Sequence, residues 1–113
     1  MEIAQSIKRY GEFSVPMDET LVRATMDLSN RPYLHYEVTI PEPKVGTFDT
    51  ELAKEFLRAF SLHAGMTLHI DMVRGENSHH IIEATFKAVG KALDIASTVD
   101  KRVKGALSSK GTI

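Results

Sequence analysis

Apolar and polar residues alternate from Thr20 to Leu28. Val22, Ala24, Met26 and Leu28 share one side, and Leu21, Arg23, Thr25 and Asp27 share the other. Successive side chains of an extended chain point to opposite faces, so this pattern predicts a half-buried strand. Leu34, Tyr36, Val38 and Ile40 repeat it against His35, Glu37 and Thr39. Ser29-Asn30-Arg31-Pro32 between them is a turn signal, and the two strands are expected to pair as an antiparallel hairpin. Ile7 to Val15 is a weaker strand candidate before them. The period then changes. Leu52, Phe56, Ala59, Phe60 and His63 recur at helical spacing behind Asp49 or Thr50, either of which can cap, and Gly65 ends the helix. Met66, Leu68, Ile70 and Met72 alternate with Thr67, His69, Asp71 and Val73, a further strand that Gly75 breaks. Asn77 or Ser78 can cap a second helix reaching about Ser97, with an apolar stripe of Ile82, Phe86, Val89, Leu93 and Ala96. The predicted order is βββαβα, an α+β sheet with its helices on one face. The segment Pro41 to Gly46 and the tail from about Asp100 are expected to be irregular.

The chain has 113 residues, the length of a single domain spanning 1–113. Apolar residues make up 42% and charged residues 26%, the balance of a soluble globular protein. A net charge of -1 and a pI near 6.5 argue against a nucleic-acid partner held by bulk charge, but leave room for a local basic pocket that takes one phosphate. Cysteine is absent, which excludes disulfides, thiolate zinc sites, iron–sulfur clusters and cysteine nucleophiles. The apolar runs are too short to cross a membrane, and Met1 to Arg9 lack the apolar stretch of a secretory signal. A cytoplasmic protein is the resulting expectation.

The chemically informative segment is Asn77-Ser78-His79-His80-Ile81-Ile82-Glu83-Ala84-Thr85-Phe86-Lys87. On a helix, His79, Glu83, Lys87 and His80 fall within an arc of about 100°, away from the stripe centred on Phe86 and Leu93. Two imidazoles, a carboxylate and an ammonium thus share one side of the first turns, where free backbone N–H groups also meet charged ligands. Two interpretations stand side by side: a solvated polar face, or a site for Mn, Fe, Zn or Ni, which imidazole and carboxylate suit. Adjacent histidines point about 100° apart on a helix, so they serve two ions more readily than one. His69 lies on the polar side of its strand, His63 at a helix end, and His35 outward in a strand. Ser108-Ser109-Lys110-Gly111 reads as a flexible tail, or as hydroxyls, N–H groups and a cation that fold over an anion.

Pro16-Met17-Asp18-Glu19, Asp27-Leu28-Ser29-Asn30-Arg31-Pro32-Tyr33, Thr67-Leu68-His69-Ile70, Asn77 through Lys87 and Ser108 through Gly111 together resemble imidazoleglycerol-phosphate dehydratase. The resemblance runs in order over almost the whole chain, but covers only the second half of that family's chain, which is about twice as long. The family consists of two similar βββαβα halves of the ribosomal protein S5 domain 2-like kind, and the first half, with its own DHHxxED motif, has no counterpart here. The resemblance implies that His79, His80 and Glu83 supply ligands to two manganese ions and that Lys87 contacts substrate. It implies that Arg9, Arg31, Ser108 and Lys110 bind the substrate phosphate. Many relatives carry a metal-binding histidine where this chain has Glu55, before Phe56-Leu57, which makes Glu55 a further implied ligand. Where relatives have glycine this chain has Asn30, in a turn that calls for positive φ, and where they have proline before Ser-Ser-Lys it has Leu107.

The implied reaction is loss of water from imidazole glycerol phosphate to give imidazole acetol phosphate, a step of histidine biosynthesis. The proton removed is not next to a carbonyl, so enolate chemistry is closed; a divalent metal on a ring nitrogen favours the imidazolate form that expels the hydroxyl. A glutamate in the family's first half acts as acid and base, and Glu19-Thr20 occupies the matching place here, so Glu19 is the expected stand-in. The expected partners are a second copy of the chain, replacing the family's internal pseudo-twofold by a true twofold, or a complementary first-half chain. The alternative function is an engineered, ancestral-like or truncated half that folds and assembles, binding metal without turnover.

Overall fold

The computed structural model describes residues 7–100. Strands β1 (Tyr10–Met17) and β2 (Thr20–Asp27) are followed by β3 (Tyr33–Glu37), the short pair β4 (Lys44–Val45) and β5 (Phe48–Asp49), helix α1 (Glu51–Ala64), β6 (Thr67–Arg74) and helix α2 (Ser78–Ala96). The predicted βββαβα order is observed, with one small two-stranded ladder added that begins inside the segment expected to be irregular and ends beyond it. That ladder reverses at Gly46, at φ +61.

The main sheet runs β1-β2-β6-β3. β1 and β2 are antiparallel across the two-residue turn Asp18-Glu19, with Asp18 at φ +53. The expected β2–β3 hairpin is not formed. β6 lies between the two strands, antiparallel to β2 and parallel to β3. Alternation fixes which face of a strand is buried but not which strand lies beside it. Here Ser29–Pro32 passes over the start of β6: Thr67 Oγ1 donates to Arg31 O at 2.9 Å, and the Tyr33 N–H donates to Met66 O at 3.1 Å. β6 takes the inner position because Leu68 and Ile70 are fully buried. β3 ends at Glu37, so Val38 and Ile40 lie beyond the strand expected to hold them.

Both helices cover one face, α2 over β1 and β2 and α1 over β3. The buried face of α1 is turned by about one residue from the predicted stripe, while that of α2 keeps Val89 and Ala96 of its stripe and adds residues beside them. α1 buries Ala53, Leu57 and Ser61 rather than Leu52, Phe56 and Ala59. α2 buries Ile81, Ala84, Thr85, Ala88, Val89, Ala92 and Ala96, while Ile82, Phe86 and Leu93 sit at the margin. Small residues at 84, 88, 92 and 96 let α2 approach the sheet closely, and Phe86 and Leu93 pack at the edge of the core so formed. Among the described residues no helix is long and apolar enough to cross a membrane.

Leu57 and Phe56 are neighbours with opposite fates: Leu57 is 0% exposed and Phe56 57%. Leu57→Ala is expected to cost about 2–5 kcal/mol through lost burial and the cavity left behind. Phe56→Ala is expected to change the stability of the single chain by less than about 1 kcal/mol, since it starts mostly in water. Urea denaturation of the two variants checks the assignment of the buried face.

Candidate functional site

The start of α2 is built by a side chain from the β1–β2 turn. Asn77 caps the helix, its side-chain oxygen accepting the His80 N–H at 3.0 Å. Glu19 Oε2 accepts the N–H groups of Glu76 at 2.9 Å and Asn77 at 2.8 Å, and the Thr20 hydroxyl donates to the same oxygen. Its other oxygen, Oε1, lies 2.8 Å from His80 Nδ1. These bonds, the Asn77 N–H first, hold the Glu19 carboxyl far below the ordinary carboxylate range. A carboxylate so satisfied is a weak proton acceptor at neutral pH. The Glu19 hydrogen bond in turn raises the His80 imidazole above its ordinary value. Neither Glu19's contact with His80 nor its hold on Glu76 and Asn77 shows in any local sequence pattern, because the residues are 57 to 61 positions apart.

His79, Glu83 and Lys87 form a row down the neighbouring face. His79 Nε2 is 3.2 Å from Glu83 Oε1, and Lys87 Nζ is 2.8 Å from Glu83 Oε2. Lys87, by its hydrogen bond, is the main cause that holds Glu83 below the ordinary carboxylate range. His79 is 67% exposed, and the two imidazole rings diverge, with centroids 6.4 Å apart and planes at 62°. The donor types suit a divalent ion. Among the described residues, however, no three acidic or imidazole side chains of the single chain converge on a point fit for one. Glu55 is exposed on α1 and does not join the row.

The expected phosphate-binding residues lie elsewhere. Arg9, at φ +76, donates to both Asp27 oxygens at 2.6 and 3.2 Å. Arg31 follows in the turn after β2, beside Asn30, whose φ of +61 matches the conformation expected of that position. Both arginines therefore sit at the Asp27 end of β2, whereas Glu19 and His80 sit at the Thr20 end. The strand between is about 23 Å long at ordinary rise per residue. Ser108, Lys110 and Leu107 lie outside the described residues.

Beside His79 and Glu83 opens an apolar groove of about 730 Å³, lined by Val45, Phe48, Leu52, Phe56, Ile82 and Phe86. Phe56 joins the helices across it, with ring centroids 5.7 Å from Phe86 and 6.2 Å from Phe60. Phe56 and Phe86 of the predicted stripes thus line a surface that adjoins the imidazole–carboxylate row. His69 is absent from this region: it stacks on His35 at 5.2 Å on the opposite sheet face, where His35 pairs with Glu37 at 3.0 Å.

The Glu19–His80 pair gives the metal-free protein a defined pH response. His80 is raised on folding, so its stabilisation is complete below the ordinary imidazole value of 6.5 and is lost as pH rises through the raised value. Glu19 is depressed, so its contribution is present above the ordinary carboxyl value of 4.5 and is lost on acidification. The two overlap between pH 4.5 and 6.5, where thermal stability without metal is expected to peak. Melting curves across pH, with Glu19→Ala flattening the alkaline fall, check this.

Comparison with known proteins agrees with this architecture. The family model of imidazoleglycerol-phosphate dehydratase matches residues 1–93. The imidazoleglycerol-phosphate dehydratase of Pelobacter propionicus is 57% identical over 109 residues, 96% of this chain and 56% of its own length. That of Desulfotalea psychrophila is 59% identical over 107 residues, 95% of this chain and 53% of its own. The crystal structure of the Staphylococcus aureus enzyme superposes with a TM-score of 0.83 at 53% identity, covering 84% of this chain and 55% of that one. The Pyrococcus furiosus structure gives 0.75 at 41% identity, covering 87% and 55%. The chain thus spans about half the length of the relatives it matches. With the family model covering most of its residues, the chain belongs to the imidazoleglycerol-phosphate dehydratase family.

Proposed function

We propose that this chain supplies half of a divalent-metal dehydratase site for imidazole glycerol phosphate, completed by a second chain. The observation that carries the proposal is the separation of the two candidate groups: the Glu19–His80 pair at the start of α2 and the arginines lie at opposite ends of β2. No small substrate can reach across about 23 Å of strand, so one molecule would meet the ends of two chains. His79, His80 and Glu83 would hold the ions, with Glu55 as a further ligand, and manganese is the favoured metal among the divalent ions this donor set accepts. When bound, the metal supplies Lewis-acid polarisation of the imidazole and a template for it. Arg9, Arg31, Ser108 and Lys110 would hold the phosphate and Lys87 would contact the substrate, which together keep the ring over the ions. The substrate is a small soluble metabolite, and this reading places the protein in the cytoplasm.

The completing chain is a second copy of this one or a complementary first-half chain. The apolar groove supports either, because it adjoins His79 and Glu83 and leaves Phe56 and Leu52 in water in the single chain. Phe56→Arg is expected to keep the fold but to shift the protein to monomers, as read by light scattering; an unchanged oligomer mass would place the interface elsewhere.

Dialysis against Mn²⁺, a count of bound metal, and an assay for loss of imidazole glycerol phosphate with and without a first-half protein test the function. Metal uptake with assembly, and turnover when both halves are present, is the expected result. A strictly monomeric, metal-free protein at micromolar concentration would overturn the site. Metal and assembly without turnover under either condition would favour the second reading, a half-domain that folds and assembles and binds metal without turnover.

A further inference from the structure

We propose that Glu19 is a positioning residue, which holds His80 in the tautomer protonated at Nδ1 and so leaves the Nε2 lone pair open to a ligand. A carboxylate without a proton only accepts hydrogen bonds, so the 2.8 Å contact between Glu19 Oε1 and His80 Nδ1 places the proton on Nδ1. A neutral ring carries one proton, and its lone pair is then at Nε2. That atom is 3.7 Å from Asp18 Oδ2, beyond hydrogen-bonding distance, and Asp18 is itself 80% exposed. Glu19 cannot turn away from the ring without releasing three other donors. The Glu76 and Asn77 N–H groups and the Thr20 hydroxyl all converge on its Oε2. The β1–β2 turn is thereby fastened to the start of α2, and the orientation of His80 follows from the position of the turn. Imidazoles that bind metals commonly have the other ring nitrogen engaged in this way, which fixes the tautomer and raises donor strength. Glu19 on this view orients a ligand instead of carrying a proton. The proposal rests on the metal reading above only for its consequence on affinity.

Glu19→Gln separates the possibilities. The three donors that meet at Oε2 select the amide oxygen for that place, which turns the amide NH₂ toward His80 Nδ1. The ring must then accept at Nδ1 and carry its proton on Nε2. In the metal-free protein in alkaline buffer, where the ring is neutral, imidazole ¹⁵N shifts are expected to show Nδ1–H in the wild type and Nε2–H in Glu19→Gln. Mn²⁺ affinity is expected to fall by about 10-fold or more, the usual cost of losing such an outer partner. A wild-type ring protonated on Nε2 overturns the proposal without recourse to any variant. An unchanged tautomer in a folded Glu19→Gln protein also overturns it. A tautomer that inverts with unchanged Mn²⁺ affinity upholds the role of Glu19 and overturns His80 as a metal ligand.

Discussion

His80→Ala is expected to give a folded protein that neither takes up Mn²⁺ nor assembles in response to it. The fold should survive because the features that start α2 do not need the imidazole. Asn77 caps through the backbone N–H of residue 80, and Glu19 still accepts the Glu76 and Asn77 N–H groups. Alanine is also the best helix former at an interior position. What is lost is an imidazole nitrogen, Nε2, without a hydrogen-bond partner among the described residues, next to a row that does not complete a metal site alone among them. The loss of affinity should exceed the roughly 10–100-fold typical of removing a partner behind a ligand. Metal content after dialysis and light-scattering mass, each with and without Mn²⁺, measure it. Unchanged metal content together with unchanged oligomer mass would remove His80 from the site.

Gly11→Val should have the largest effect on folding. A Cβ at Gly11 would lie 2.0 Å from Ala92 O, 2.9 Å from Ala96 N and 3.0 Å from Ala92 C, all backbone atoms of α2. No side-chain rotation relieves such a contact. The helix would have to lift from β1, and Ala88, Ala92 and Ala96, each fully buried, would lose their fit on the sheet. Ordinary overpacking costs about 1–3 kcal/mol where side chains give way; here the backbone must move, so the cost should exceed that range. The melting temperature should fall by about 10 °C or more in a domain of this size. A Gly11→Val protein that melts within a few degrees of the wild type would mean that the helix does not approach β1 so closely.

Gly11 also shows where the sequence stops being informative. Its neighbours in the chain form a strand of ordinary appearance, and the contact that excludes a side chain comes from a helix some eighty residues later. The same holds for the buried helix faces. Phe56, Ile82 and Phe86 are the large apolar residues at helical spacing, and size alone draws the stripe through them. The smaller set of Ala84, Ala88, Ala92 and Ala96 packs on the sheet because close approach buries more of both surfaces. Phe56, Ile82 and Phe86 then line the groove beside that contact, the surface on which the proposed second chain would rest.

The order and type of the main-sheet strands and helices, a cap at Asn77 or Ser78, the stop at Gly65, the positive φ at Asn30 and the family itself were legible in the sequence. Each depends on local periodicity, on the conformational range of one residue or on a run of adjacent residues. The placement of β6 between β2 and β3, the distance between the arginines and the histidines, and the hold of Glu19 on His80 were settled only by the tertiary structure. They depend on which remote segments meet, and that is decided by the burial and hydrogen bonding of the whole chain rather than by any stretch of it.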